Sequence, residues 1–214
     1  TPWENTRFKT GKLKFTYSSM LTPKTIFEYD MRKRTLTELR KDRIPGYDPS
    51  AYEASRLSAR AMDGAMIPVF VLMRKGAPLD GSSPMLRYGY GSYGDFEGPA
   101  PEFDPDALSL VDRGFIYARA QIRGGGDMGG AWHKQGAMLN KVATFSDFIA
   151  VAEHLTRNGY TSRERLTIRG RSAGGLLMGA VTNMRPALFR AVVAEVPFVD
   201  VVTTQREQTI PLVP

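Results

Sequence analysis

Beyond Gly76 the sequence repeats one rhythm of short apolar strand, glycine-rich loop, helix and strand, and this constrains the fold more than any other feature. Met85 to Tyr90 and Phe115 to Ile122 read as strands that run into glycine loops. Phe145, Phe148, Ile149, Ala152 and Leu155 recur at helical spacing. With Thr144 or Ser146 as N-cap and Asn158-Gly159 as the stop, they predict a helix from Ser146 to Arg157. Leu166 to Arg169 and Ala191 to Val196 are short apolar strands. Parallel strands need crossover connections, so the alternation predicts an α/β fold with a mostly parallel sheet and helices on its faces.

The first part of the chain has a different period. Leu13, Phe15 and Tyr17 alternate, a turn is expected at Thr22-Pro23-Lys24, and two further short runs follow, Ile26 to Tyr29 and Thr35 to Leu39. Period-two runs of this length imply consecutive antiparallel strands, a unit that cannot bury both faces alone. Ile44-Pro45-Gly46-Tyr47-Asp48-Pro49 then punctuates the chain as a natural boundary. Another antiparallel pair, Tyr52 to Ala59 and Met66 to Met73, turns at Asp63-Gly64.

Composition excludes several classes of function. The 214 residues are 42% apolar and 24% charged, a globular balance long enough for one sizeable core and part of a second unit. Cysteine is absent, which removes disulfides, a thiolate nucleophile and a Cys-based zinc site. No apolar run approaches the roughly 20 residues of a membrane span, and no leader pattern opens at Thr1. The expectation is a soluble, cytoplasmic-type protein that needs no cofactor or metal. The net charge of +7 comes from Lys and Arg scattered through Met31 to Arg43 and Thr156 to Arg171 rather than laid on one face, so no nucleic-acid partner is expected.

Gly170-Arg171-Ser172-Ala173-Gly174 is the sharpest chemical signal, a G-x-S-x-G between the strand Leu166 to Arg169 and the apolar run Leu176 to Val181. A serine on a tight strand-to-helix turn projects its hydroxyl from a strained backbone, and Gly170, Gly174 and Gly175 give the returning chain room. A helix beginning at Ala173 would aim that residue's amide at an oxyanion forming on the serine's substrate. The bland alternative is a chance match in a loop, against which the strand and helix context stands.

A nucleophilic serine needs a base, yet His133 and His154 both precede Ser172, whereas in this strand-turn-helix arrangement the acid and histidine follow it. His154 fits the interior of a helix and His133 a loop after Trp132 better than they fit a base. Gly89 to Gly94 and Gly124 to Gly129 each match G-x-G-x-x-G after a strand. Neither opens a convincing helix, and no acidic residue ends a strand about 20 residues on, so a dinucleotide site is not expected.

Taken in order, five segments resemble the prolyl oligopeptidase family from about Phe15 to Leu212. They are Tyr88 to Gly94, Arg123 to Gly129, Asn140-Lys141 to Asp147, Gly170 to Gly175, and Val196-Pro197-Phe198-Val199-Asp200-Val201-Val202. Tyr17-Ser18-Ser19-Met20, the Gly-Ser-Tyr-Gly of the first glycine loop, Ser172-Ala173 and the Val-Pro-Phe-Val-Asp-Val-Val run are similar to the oligopeptidase B branch rather than the proline-specific one.

The resemblance implies a partial α/β-hydrolase fold over 47–214, preceded over 1–46 by antiparallel strands of the last blade of a seven-bladed β-propeller. It implies cleavage of short peptides after Lys or Arg, with Ser172 as nucleophile, Ala173 as backbone oxyanion donor, Tyr90 as hydroxyl donor and Glu102 as an acid lining a secondary cationic subsite. Arg171, Gln205 and Arg206 depart from the family pattern, where Gly, Met and Leu are usual. The family's catalytic Asp and His and its primary-pocket acids are expected beyond Pro214. The alternatives are an esterase or acylaminoacyl peptidase of the same fold, or a catalytically silent fragment. An exposed apolar edge is expected on the last strand of the sheet.

Overall fold

The computed structural model describes residues 5–95, 101–207 and 209. Its first unit is a three-stranded antiparallel sheet of β1 (Lys12–Ser19), β2 (Thr22–Asp30) and β3 (Thr35–Lys41). The first turn falls at Met20-Leu21, earlier than the sequence suggests, and Thr22-Pro23-Lys24 is already strand. Pro23 is tolerated because it precedes the regular ladder that starts at Thr25, where its missing N–H costs nothing. Every residue of β3 is exposed, so this sheet has little core of its own.

The second sheet has six strands in the order β4-β5-β7-β6-β8-β9, with β4 (Tyr52–Arg60), β5 (Met66–Arg74), β6 (Met85–Tyr88), β7 (Ile116–Ala120), β8 (Leu166–Arg171) and β9 (Ala191–Glu195). The pairs β6–β7, β6–β8 and β8–β9 are parallel, whereas β4–β5 and β5–β7 are antiparallel. β5 is buried from Ile67 to Met73, as a strand covered on both faces must be.

Alternate residues of β5 divide the core. Val69 and Val71 join a cluster with Phe148 and Leu155 of α3 (Val142–Arg157) and Leu177 and Val181 of α4 (Ala173–Met184). Phe70 and Leu72 join Leu108 and Val111 of α1 (Pro105–Val111) on the opposite face. Two short helices complete the described residues, α2 (Gly130–Lys134) and α5 (Val201–Arg206).

Two element boundaries differ from the sequence reading. α3 starts at Val142 rather than Ser146, and neither Thr144 nor Ser146 caps it, because both hydroxyls donate to carbonyls instead. α1 was not anticipated, although Asp104 before Pro105 is a legible start signal; the Asp104 carboxylate accepts from the Asp106 N–H.

The two sheets meet at the β1–β2 turn. Met20 is buried with the α1 cluster, the Tyr47 hydroxyl donates to the Leu21 carbonyl at 2.7 Å, and the Phe103 N–H donates to Ser18 Oγ at 3.0 Å. At the far edge of the second sheet, Ala191 to Ala194 of β9 are exposed, the apolar edge expected on the last strand.

Candidate active site at the ends of β6 and β8

β6 and β8 are neighbours, but the helices that follow them, α1 and α4, lie on opposite faces of the sheet. Their carboxyl ends therefore flank the crevice that a doubly wound sheet opens at a change of winding direction. Ser172 stands at the end of β8 and Tyr90 just past the end of β6.

Ser172 is exposed and sits at φ 56°, ψ −116°, between strand and helix. A non-glycine residue held there costs on the order of 1–3 kcal/mol, so the surroundings must enforce it. Four hydrogen bonds do so: the Ser172 N–H donates to the Glu195 carbonyl at 2.9 Å, and the Ser172 carbonyl accepts from Gly175 N at 2.8 Å, Leu176 N at 3.2 Å and Phe198 N at 3.1 Å. A Cβ on Gly170 would lie 2.2 Å from the Gly174 carbonyl oxygen, and one on Gly175 would lie 2.5 Å from Pro197 Cα. Only glycine permits this return of the chain. Ala173 is the first residue of α4, a position whose N–H has no intrahelical acceptor.

Tyr90 is half-buried alongside that first turn. A Cβ on Gly174 would approach Tyr90 Cα and Cδ2, each at 3.5 Å, and the Gly89 carbonyl oxygen at 2.6 Å. Ser172, Ala173 and Tyr90 are thus brought to one place from segments some eighty residues apart in sequence.

The two G-x-G-x-x-G matches prove to face each other. The Gly94 N–H donates to the Gly124 carbonyl at 3.0 Å and the Gly126 N–H to the Asp95 carbonyl at 2.8 Å. A Cβ on Gly124 would meet the Gly91 oxygen at 2.3 Å, and one on Gly126 the Gly94 oxygen at 2.2 Å. These glycines allow backbone to pack on backbone, which answers for their spacing without a dinucleotide.

The start of α3 holds both loops. Lys141 Nζ donates to the Gly91 carbonyl at 2.6 Å and to Ser92 Oγ at 2.7 Å. Thr144 Oγ1, buried, donates to the carbonyls of Arg123 at 2.8 Å and Gly136 at 3.1 Å. The buried Asp147 carboxylate accepts from the Arg123 backbone N–H at 3.1 Å and from its guanidinium at 2.8 and 2.5 Å. A third bond from that guanidinium holds the Asp63 carboxyl below its usual range. Burial alone pushes the Lys141 ammonium down to about 8. Sequence reasoning did not single out these anchoring roles; the three-residue spacing of Lys141, Thr144 and Asp147 is the signal that carried them.

The remaining residues lie apart. His133 places Nδ1 2.8 Å from the Gly124 carbonyl and packs its ring on Gly94, so it is a spacer between the glycine loops. His154 is in the last turn of α3, where burial and Arg157 lower its pKa. Glu102 is exposed on the segment before α1, beside the junction of the two sheets. Arg171 is exposed at the end of β8, so its departure from glycine disturbs no packing; Gln205 and Arg206 are exposed in α5. Among the described residues no cluster of His, Asp and Glu could hold a metal ion, and no helix is long and apolar enough to cross a membrane.

Residues 101–214, a little over half of the sequence, match the family model described as "Prolyl oligopeptidase family". The chain belongs to this family. Among its relatives is a dipeptidyl aminopeptidase BI of Pseudoxanthomonas mexicana, 47% identical over 95% of this chain and 28% of the relative. Protease 2 of Moraxella lacunata is 43% identical over 96% of the chain and 30% of its own length. In three dimensions oligopeptidase B from Leishmania major superposes with a TM-score of 0.88 at 43% identity, covering 96% of this chain and 29% of that one. The 214 residues therefore span less than a third of the length of these relatives. They carry a partial α/β-hydrolase fold preceded by propeller-type antiparallel strands, as the resemblance implies.

Proposed function

We propose that this chain supplies the nucleophile and the oxyanion site of a serine peptidase of the oligopeptidase B type, which hydrolyses short peptides after Lys or Arg. The observation that carries the reading is the strained, exposed Ser172 at the head of α4, with the Ala173 amide and Tyr90 beside it. Ser172 Oγ attacks the scissile carbonyl, its proton passes to a base, and the oxyanion receives hydrogen bonds from the Ala173 N–H and the Tyr90 hydroxyl. The base is proposed to come from outside these residues, since His133 is engaged between the glycine loops and His154 belongs to a helix on one face of the sheet.

In the same reading residues 1–46 are the end of a propeller and 47–214 the first part of the catalytic domain. Glu102 is a subsite acid, for which its exposed place near the sheet junction leaves room. The 43% identity to an oligopeptidase B, against 36% to a prolyl endopeptidase of Elizabethkingia meningoseptica, favours the Lys/Arg branch over the proline-specific one. The similar dipeptidyl aminopeptidase makes a free peptide amino terminus the competing requirement.

The test uses the full-length protein that contains this chain and a panel of amides: N-blocked arginyl, N-blocked prolyl, dipeptidyl with a free amino terminus, and an acyl ester. Preference for the N-blocked arginyl amide, lost in Ser172→Ala, is expected. Preference for any other substrate refutes the specificity, and undiminished turnover by Ser172→Ala refutes the nucleophile.

A further inference from the structure

The geometry points to Lys141 as a positioning residue that holds the Tyr90 loop in its working shape by gripping the two residues that follow Tyr90. The inference rests on the proposed role of Tyr90 as oxyanion donor and extends it to a group that never touches substrate.

The loop is poorly able to hold itself. Gly91, Tyr93 and Gly94 all have positive φ, at 67°, 59° and 65°. A segment with this much glycine has high conformational freedom when unrestrained. Its backbone hydrogen bonds to the second glycine loop begin at Gly94 and Asp95, on the far side from Tyr90. Between Tyr90 and that contact, Lys141 donates to the carbonyl of Gly91 and the hydroxyl of Ser92, both buried residues, at 2.6 and 2.7 Å.

Lys141 is itself fixed. It is the residue before Val142 of α3, and Thr144 and Asp147, one and two turns on, are tied to the second glycine loop. The ammonium is desolvated and faces two acceptors, and hydrogen bonds from an ionised donor are stronger than those between neutral groups. The Lys141 grip and the Gly94 contact therefore bracket the loop, and Tyr90 is located from one side by β6 and from the other by Lys141.

The experiment is a double-mutant cycle in the full-length protein between Lys141→Met and Tyr90→Phe, read as kcat and KM on the preferred amide. Lys141→Met is expected to lower kcat by roughly 10-fold to 100-fold through misplacement of the hydroxyl, with KM changed less than about threefold. In the Tyr90→Phe background the same substitution should change kcat by less than about threefold, because the group it positions is gone. In Lys141→Ala, added propylamine should restore part of the rate and tetramethylammonium should not, since only the former can donate to both acceptors.

Equal losses in the two backgrounds, or a loss confined to KM, overturn the inference. An unaltered rate in Tyr90→Phe alone instead refutes the oxyanion role of Tyr90, whatever Lys141 does. Should Lys141→Met fail to fold, Ser92→Ala removes only the hydroxyl acceptor and carries the same cycle, with a smaller loss expected and additivity again the refuting result.

Discussion

The carboxyl ends of β6, β7 and β8 and the three-stranded sheet β1–β3 are built on opposite terms. At the first, the chain leaves no room for a single added carbon: it would collide with backbone at Gly124, Gly170 and Gly174, and collide with or press on the side chains of Phe148, Ile122 and His133 at Gly89, Gly91 and Gly94. At the second, β3 is exposed throughout, and Leu13, Leu36 and Leu39 are each more than two-fifths exposed. Close packing is concentrated where strand ends bring a serine, an amide and a phenol together, whereas within these residues β1–β3 are held chiefly by pairing with one another.

The largest effect that can break this comparison is chemical. Ser172→Ala in the full-length protein should lower amide turnover by on the order of a million-fold while its thermal midpoint stays near the parent's, as calorimetry beside kinetics will measure. Tyr90→Phe should cost roughly a hundred-fold to a thousand-fold in kcat with KM little changed, because the hydroxyl meets charge that develops only in the transition state. An unaltered rate would move Tyr90 to the packing side of the comparison.

Backbone packing is tested next. Gly170→Ala places a methyl 2.2 Å from the Gly174 carbonyl oxygen and 3.0 Å from that of Gly89, both backbone atoms that cannot swing aside. Destabilisation by about 3 kcal/mol or more is expected, seen as a lower midpoint or loss of soluble protein. A wild-type midpoint would show that the elbow can yield.

Arg87 sharpens the comparison from inside the closely packed region, where it is the one large polar side chain wholly buried among the described residues. Its guanidinium lies 3.6 Å over the Phe148 ring and one nitrogen donates to the Phe148 carbonyl, but Nε and the other terminal nitrogen have no partner among the described residues. Burial lowers its pKa well below the usual arginine value. Removing unsatisfied buried donors from an apolar core is favourable, so Arg87→Met should raise stability by about 1–2 kcal/mol and the midpoint with it. A fall would mean that the stack on Phe148 outweighs the desolvation.

The smallest effect belongs to the exposed sheet. Leu36→Thr, on β3 where Leu36 is 54% exposed, should change stability by less than about 0.5 kcal/mol in the full-length protein. A large loss would show that this face is covered in the complete molecule.

The sequence by itself determined the alternating strand and helix order and Ser172 at a strand-to-helix turn, because periodicity and glycine placement are local properties of the backbone. Local signals failed where a side chain had a better distant partner. Thr144 looked like a cap until the fold supplied the carbonyls of Arg123 and Gly136, and the first turn moved to Met20-Leu21 because Met20 buries against α1. That the two glycine motifs clasp each other, that the start of α3 anchors both, and that Tyr90 comes to lie beside Ser172 are decisions of the tertiary structure alone. They depend on strand order, and β6 becomes the neighbour of β8 only through a crossover that no local pattern records.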